Sequence, residues 1–444
     1  DGDKPKKVKG EVSADGRYNP EKIVSVNKDV TEMALSPNEK EIAFLHRGEV
    51  FVASIKEGTT KRITNTPEQE RNISFSPDGK SILYAGERNG SWNVYQSSIA
   101  REGEKYFFNS TIIKEETLLD NPAEEFDPAY SPDGKEIAYL EERTTIKVLN
   151  LATKKTRTVM TADKNYSYSD GDQHFAWSPD SKWLLVEFLQ DRQWITQCGL
   201  VDVKGGKDVV NLTQSGYGNY GPEWAMDGKM MVYASDRDGM KNHGSWGGEA
   251  DVYAMFFTKE AFDQYKLDEE EYELKNEDEE EDEDEEKEKK KDKKDKKKKK
   301  TVDPIKIELD DIEDRKVRLT VNSTHLSDAV LANDGSKLFY MSRYEKGADL
   351  WETNLRTKET KKLLKMGAKD VGDVIMDKKG KNLFILADGK ISKVEVEGGK
   401  QKGIGVSGEM VLNETDEREY LFEHAWRQVE KKFYKIDLHE VSWD

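Results

Sequence analysis

The chain has 444 residues, of which 36% are charged and 35% hydrophobic, and its formal net charge is −18. A chain of this length can bury a large core, but so negative a charge does not favour binding to nucleic-acid backbones, which attract basic surfaces. The single cysteine, Cys198, excludes an internal disulfide and leaves the redox compartment open. No run of 18 apolar residues occurs, so the sequence predicts no membrane span.

The chain begins with a polar stretch, residues 1–20, that contains several glycines and prolines. We expect these residues to be a linker that follows an upstream segment. Alternating apolar and polar residues then start at 22–26, and we expect this strand to open the first structural unit.

A hairpin motif follows and recurs along the chain. The sequence SPDGK occurs at 76–80 and at 131–135, each time before an apolar, strand-like run. Related copies place their proline position at residues 37, 179, 226, 333 and 378. Proline presets the first turn dihedral, aspartate accepts hydrogen bonds from nearby backbone, and glycine supplies the positive φ of a tight hairpin. Each copy therefore predicts a turn between two antiparallel strands.

The spacing of these turns predicts the architecture. Successive copies are 40, 55, 47, 47, 107 and 45 residues apart. A period of about 40–50 residues with four short strands per repeat is typical of β-propeller blades. We therefore predict an all-β, seven-bladed propeller over residues 21–410, with six or eight blades left open because the two chain ends could share one blade.

The one long step indicates an insertion into blade five, at about 259–305. Its first part is predicted to be an acidic helix, and it continues into an unbroken acidic run, 277–286, and a basic run, 296–300. Such runs repel themselves and bury nothing. A solvated loop is the favoured interpretation, and a partner-binding tail is the alternative.

The pattern changes after residue 410. From Asp416 the apolar residues Leu421, Ala425, Val429 and Phe433 recur at helical spacing. We expect residues 411–444 to be a C-terminal helical tail that begins a truncated downstream domain.

No catalytic constellation is visible in the sequence. The six histidines are scattered, without the paired spacing of a metal site, and neither a Gly-x-Ser-x-Gly motif nor a phosphate-binding loop occurs. We therefore predict no catalytic residue, no metal and no cofactor within this chain. No defensible pair of carboxylates supports a glycosidase either.

The segments just before each hairpin are more informative, because the innermost strand of a propeller blade lines the central channel. Polar and mostly acidic residues recur where the chain enters these strands. The candidates for a substrate-binding channel mouth are Glu70, Arg71, Glu125, Asp172, His174 and Glu223. A ring of acids could attract cationic or N-terminal amine groups of a peptide, and ordinary solvated loops are the alternative.

The motifs also resemble a known family. The density of SPDGK hairpins resembles TolB-like propellers, and residues 47–52 followed by 62–67 look like the second propeller of tricorn-type serine peptidases. The tail from Ala425-Trp426-Arg427 to Ser442-Trp443-Asp444 is similar to the start of that family's helical catalytic subdomain.

The resemblance implies a longer parent protein, with another propeller upstream and helical, PDZ-like and serine-nucleophile domains downstream of Asp444. It implies that this propeller is non-catalytic and guides peptides towards a protease chamber, with peptides and the other domains as its partners. The parent could be a homo-oligomer. The competing hypothesis is a protein-interaction scaffold that uses the propeller face or the charged insertion.

Overall fold

The described residues form a ring of similar sheets. The computed structural model describes residues 19–166, 173–190, 193–241, 248–268, 270–272, 274, 303–435 and 437–442. They form seven four-stranded antiparallel sheets and one two-stranded ribbon. The first strands of neighbouring sheets lie against one another around a central channel, and a helix follows the last strand. The predicted seven-bladed propeller with a C-terminal helix is confirmed.

The strands of each blade follow one another along the chain, and the first of each four is the inner strand. Blades one to three comprise β2 (Val30–Leu35), β3 (Glu41–His46), β4 (Glu49–Ser54) and β5 (Thr60–Arg62); β6 (Glu70–Phe75), β7 (Ser81–Arg88), β8 (Ser91–Ile99) and β9 (Ile113–Leu119); β10 (Glu125–Tyr130), β11 (Glu136–Glu141), β12 (Thr145–Asn150) and β13 (Thr156–Met160). Blades four and five comprise β14 (Phe175–Trp177), β15 (Trp183–Leu189), β16 (Thr196–Asp202) and β17 (Val210–Asn211); β18 (Asn219–Ala225), β19 (Met230–Ser235), β20 (Asp251–Phe256) and β21 (Lys316–Arg318). Blades six and seven comprise β22 (Leu326–Leu331), β23 (Lys337–Glu345), β24 (Gly347–Asn354) and β25 (Thr360–Ala368); β26 (Val371–Met376), β27 (Asn382–Ala387), β28 (Lys390–Glu395) and β29 (Gln401–Gly403).

The recurring motif forms the turn between the first two strands of a blade. The Ser76 hydroxyl donates to Asp78 at 2.6 Å, and the same carboxylate accepts from the Lys80 amide at 3.0 Å. Gly79 takes a φ of +70°, which a side chain would strain. Equivalent serine-to-aspartate bonds occur at Ser131–Asp133 (2.8 Å) and Ser178–Asp180 (2.7 Å). The motif is therefore explained by turn chemistry.

The hydrophobic core lies between the facing surfaces of adjacent blades. Phe44 and Phe51 of blade one, for example, pack with Phe384 and Leu386 of blade seven. Burying one such side chain contributes about 1.5–3 kcal/mol. The stability of the ring therefore depends on every blade having two packed neighbours.

Blades seven and one meet without sharing a strand. The strand predicted at 22–26 to open blade one instead belongs to β1 (Glu21–Val26), which pairs with β30 (Gly408–Asn413) in the separate ribbon. The sequence could not reveal this difference, because the partner strand is almost 400 residues away. Between the two blades, the Lys378 amide donates to Glu39 at 2.6 Å, and the Lys378 ammonium donates to the Pro37 carbonyl at 2.8 Å.

The insertion leaves blade five between its last two strands. Strands β20 and β21 are hydrogen-bonded neighbours although residues 257–315 separate them. Helix α1 (Lys259–Lys266) packs through Phe262 and Tyr265 on Phe256. Arg356 of blade six donates to the Leu267 carbonyl at 2.8 Å and stacks on Tyr272 with 4.2 Å to the ring centre. These contacts anchor the start of the insertion, whereas the acidic and basic runs lie outside the described residues.

No helix within the described ranges is both long and apolar enough to span a membrane.

Candidate functional site: a polar girdle in the channel

In six of the seven blades, the inner strand that lines the channel has a β-bulge near its start. Among the seven inner strands, pairing with the second strand shifts register near the start of β2, β6, β10, β18, β22 and β26. Such a bulge leaves backbone amides without a partner in their own sheet and changes the direction of the side chains. These amides therefore need acceptors from a neighbouring blade.

One polar side chain per blade lies in or beside these positions or, in blade four, directly before the regular inner strand β14. We call this set the channel girdle: Glu32, Asn72, Asp127, His174, Glu223, Asp328 and Asp373. All seven retain solvent exposure. Because the inner strands are flanked by other blades on both sides, this exposure is towards the channel or its mouth. Blade five has Gly221 at the bulge, and Glu223, two residues further on, contributes its carboxylate instead.

Girdle side chains join several pairs of neighbouring blades. The Glu32 carboxylate of blade one accepts hydrogen bonds from the amides of Asn72 (2.7 Å) and Ile73 (3.3 Å) in blade two. Similar bonds run from the Asp127 amide to Asn72 Oδ1 (3.4 Å), from the Val374 amide to Asp328 Oδ2 (2.6 Å) and from the Met33 amide to Asp373. The last of these crosses the junction between blades seven and one.

Blade four contributes the girdle's one histidine. His174 Nε2 lies 3.0 Å from Glu223 Oε1 of blade five. Burial alone would lower the pKa of His174, but the hydrogen bond and the negative charge of Glu223 raise that pKa to about 9. His174 is therefore an imidazolium at neutral pH, and the pair is ionic.

The remaining acids keep the channel negative. Desolvation raises the pKa of Asp328 to about 6, and the charges of Asp373 and Glu223 act in the same direction. Desolvation also raises the pKa values of Glu32 and Asp373. Because these carboxylates repel one another, ionisation of one makes ionisation of the others less favourable. Even with His174 counted as an imidazolium, the girdle's five carboxyl groups give it a net negative formal charge.

Two of the predicted mouth acids are buried instead of exposed. Glu70 has no accessible surface and pairs with Arg88 at 2.8 Å, and Glu125 is equally inaccessible. Burial raises the pKa of each to about 8. In Glu70 the negative charge of the nearby Glu49 carboxylate acts in the same direction. This corrects the expectation that these two residues present charge at the mouth, because both side chains lie inside the packed blades.

The other predicted residues have mixed positions. His174 and Glu223 lie in the channel and form the pair described above. Arg71 lies over the Trp92 ring at 5.4 Å, and its charge lowers the pKa of Glu32, although desolvation outweighs it. Asp172 lies outside the described residues.

The sequence does contain a signal for the girdle. When the seven repeats are aligned on the proline position of the hairpin, the residue five places upstream is the girdle position in every copy. These residues are Glu32, Asn72, Asp127, His174, Gly221, Asp328 and Asp373. The mouth prediction instead favoured Glu70 and Glu125, which lie two residues earlier. The bulge directs the side chains of Glu70 and Glu125 into the packed blades and those of the girdle residues towards the channel.

The C-terminal helix covers part of the face on which the chain enters the inner strands, which we call the inlet face. Helix α2 (Glu414–Lys432) directs one polar stripe at the propeller. Buried Glu87 of blade two accepts from Tyr420 (2.7 Å) and from Arg427 (3.2 Å) and contacts His424 (2.5 Å). The contacts extend to blade three through Lys431–Glu124 (2.9 Å) and to blade one through Arg47–Glu417 (2.5 Å). The helix is therefore attached to blades one to three.

The opposite side of α2 is apolar and faces solvent. Phe422 is 66% exposed and stacks on Trp426, and Leu421 and Val429 are also exposed. Exposed apolar patches of this kind mark contact surfaces.

Within the described ranges, no group of three or more His, Cys, Asp or Glu side chains could hold a metal ion.

Comparison with known proteins identifies the fold. No protein-family model matches the chain. Tricorn protease superposes with a TM-score of 0.66 and 13% identity, over 96% of this chain and 39% of that protein. An oligogalacturonate lyase in complex with manganese superposes with a TM-score of 0.50 and 12% identity, over 86% and 85% of the two chains. A prolyl endopeptidase superposes with a TM-score of 0.50 and 13% identity, over 87% of this chain and 50% of that one. This chain thus shares its propeller fold with peptidases and a lyase, and it spans well under half the length of tricorn protease.

Proposed function

We propose that this chain is a non-catalytic propeller of a tricorn-like serine peptidase and that it guides peptides through its channel. The observation that carries the proposal is the girdle, because it places acidic side chains around the opening that a peptide would have to cross. An extended peptide supplies an N-terminal ammonium and basic side chains, both of which such an acidic environment attracts.

The likeness to tricorn protease supports the peptidase context but covers only part of that protein's length. Hydrolysis is accordingly assigned to residues outside this chain. The purified chain alone is expected to bind peptides without cleaving them.

A second candidate function is an interaction scaffold, and the apolar outer side of α2 favours it. Phe422 and Trp426 could pack against another domain or another protein. The two functions are compatible, because the contacts described for α2 are with blades one to three, which form only one sector of the inlet face.

The test compares three labelled octapeptides of equal length that carry basic, neutral or acidic side chains, with binding measured by fluorescence anisotropy. The basic peptide should bind best, and its affinity should fall with added salt, since charges are screened beyond about 10 Å at 0.1 M. Equal binding of all three peptides, or no binding at all, would contradict the channel function. Loss of a partner protein on Trp426→Ala, with peptide binding unchanged, would support the scaffold function instead.

A further inference from the structure

The solvent side of α2 carries a regular apolar stripe. It is formed by four exposed side chains, in steps of four, three and four residues: Phe422, Trp426, Val429 and Phe433. The stripe faces away from the propeller, because the opposite side of the helix makes the contacts with Glu87. Alternating steps of three and four are the spacing of the a and d positions in a coiled coil, where one helix packs on another.

The two edges of this stripe carry opposite charges. One edge is formed, at intervals of seven residues, by Asp416, Glu423 and Glu430. The other edge is formed, at the same intervals, by Arg418, Ala425 and Lys432. In a helix of 3.6 residues per turn, these two sets border the stripe on either side, at the e and g positions of the same heptad. Arg418 and Lys432 also interact within their own chain, Arg418 with Glu414 at 3.3 Å.

This distribution of charge makes the helix complementary to a second copy of itself. Two α2 helices that pack stripe to stripe and run parallel are related by a two-fold axis along the helices. The acidic edge of one helix then lies beside the basic edge of the other, and Arg418 faces Glu423 of the second copy. An antiparallel pair would instead place acidic edge against acidic edge. Charge complementarity therefore favours the parallel pair.

We propose that α2 is a self-association surface, through which two copies of this chain form a dimer. The apolar stripes pack together at the centre, and ion pairs between Arg418 of each copy and Glu423 of the other form the edges. Each propeller lies on the outer side of the helix pair, so the two inlet faces are directed towards each other. This inference goes beyond the channel function and does not depend on it.

The expected dimer is weak and reversible. Helix α2 has 19 residues and is about 30 Å long. One pair of such helices buries less than the roughly 1,600 Å² of a standard stable interface. We therefore expect a dissociation constant in the micromolar range, so that association depends on protein concentration.

Sedimentation equilibrium of the whole chain, from about 1 to 200 µM, measures this association. Wild type should change from monomer to dimer over this range. Phe422→Ala removes a large side chain from the centre of the interface and should weaken dimerisation at least about tenfold. Trp194→Ala is the matched control, because Trp194 is a 68% exposed ring of blade four, which the described contacts of α2 do not include. This control should dimerise as wild type does.

Charge reversal tests the edges of the interface. Arg418→Glu and Glu423→Lys each place like charges opposite one another and should weaken dimerisation several-fold. The double variant restores opposite charges and should recover most of the wild-type affinity. The two side chains are 65% and 57% exposed in the single chain, so these substitutions should leave the fold intact, as circular dichroism can verify.

A cysteine at position 429 tests the orientation of the pair. Identical positions of the two helices lie side by side in the parallel arrangement, so Val429→Cys should form a disulfide-linked dimer under mild oxidation. The native Cys198 is buried and does not compete.

Three results would overturn the inference: a chain that stays monomeric at about 200 µM, a dimer that Phe422→Ala does not weaken, or a dimer in which Val429→Cys forms no cross-link. Peptide binding is measured separately, so failure of this inference leaves the channel function standing, and failure of the channel function leaves the dimer standing.

Discussion

The carboxylate of Asp328 in blade six accepts a hydrogen bond of 2.6 Å from the backbone amide of Val374 in blade seven. The same carboxylate is close enough to Glu223 and Asp373 for their charges to raise its pKa, in addition to the larger effect of desolvation. One side chain thus joins two blades and also contributes negative charge to the channel. The two roles can be separated experimentally, because asparagine keeps the acceptor and removes the charge.

The first prediction concerns the pH dependence of peptide binding. The pKa of Asp328 is about 6, so this carboxylate is ionised at pH 7.5 and largely protonated at pH 5.5. His174, with a pKa of about 9, stays charged over this range. The affinity for a Lys- or Arg-rich peptide should therefore fall several-fold between pH 7.5 and 5.5, as measured by anisotropy titrations. Asp328→Asn should bind more weakly at pH 7.5 and show a smaller pH dependence; an unchanged profile would argue against Asp328 as a contributor.

The second prediction concerns closure of the ring at blades seven and one. Asp373→Ala removes the acceptor for the Met33 amide and should lower the free energy of unfolding by about 1–3 kcal/mol. Asp373→Asn keeps an oxygen at that position and should cost less than about 1 kcal/mol. Urea unfolding of both variants measures the difference. Equal destabilisation by Ala and Asn would mean that the charge, and not the hydrogen bond, stabilises the junction.

The third prediction concerns buried Glu125. Its pKa is raised by burial from 4.5 to about 8, so the folded protein binds a proton there that the unfolded chain releases above pH 4.5. The stability contributed by this protonated carboxyl is fully present below pH 4.5 and is lost as the pH rises through about 8. Glu125→Gln cannot ionise, so its stability relative to wild type should increase with pH, by up to about 1.4 kcal/mol per unit of raised pKa.

Thermal unfolding at pH 5.5 and pH 8.5 tests this prediction. The melting temperature of Glu125→Gln, relative to wild type, should be higher at pH 8.5 than at pH 5.5. Glu57→Gln, which changes a 66% exposed side chain, should differ from wild type in melting temperature by the same small amount at both pH values. A difference for Glu125→Gln that does not vary with pH would show that Glu125 is already ionised in the folded protein.

The fourth prediction concerns attachment of helix α2. Although burial opposes it, the hydrogen bonds from His424 and Tyr420 and the charge of Arg427 hold the pKa of Glu87 below its usual value, so Glu87 is an anion. Glu87→Gln removes this charge and should accelerate amide hydrogen exchange in residues 414–432. Glu423→Gln, on the same helix with a 57% exposed side chain, is the control. Similar exchange in the two variants would show that other contacts hold the helix.

The repeat and the blade count could be predicted from the sequence because they depend on local turn chemistry. A proline, an aspartate and a glycine fix a hairpin wherever they occur, and Ser76–Asp78 and Ser131–Asp133 form it in the same way. The ribbon of β1 and β30 depends on which distant strand is available, which no local pattern specifies.

The candidate site could be predicted only in outline. The sequence left open an acidic channel mouth or ordinary solvated loops, and His174 and Glu223 are the two candidates that belong to the girdle. Glu70 and Glu125, however, are directed into the blades, because the register of the inner strand changes directly after them. A bulge is a backbone event that hydrophobic periodicity does not reveal, and only alignment of the seven repeats locates it.

The measurement that tests the central claim most directly is the affinity of a Lys- and Arg-rich octapeptide for the double variant Asp328→Asn, Asp373→Asn. Both substitutions keep the inter-blade acceptors, so the fold should be retained while two charges leave the channel. The control, Glu57→Gln with Glu116→Gln, removes two carboxylates whose ion-pair partners, Lys56 and Lys154, are themselves largely exposed. We predict that the double variant in the girdle binds the basic peptide at least tenfold more weakly than wild type at low salt, whereas the control binds it nearly as well as wild type. A neutral peptide should bind all three proteins equally. Equal affinity of the girdle variant, the control and the wild type for the basic peptide would contradict the proposal that the acidic channel guides peptides.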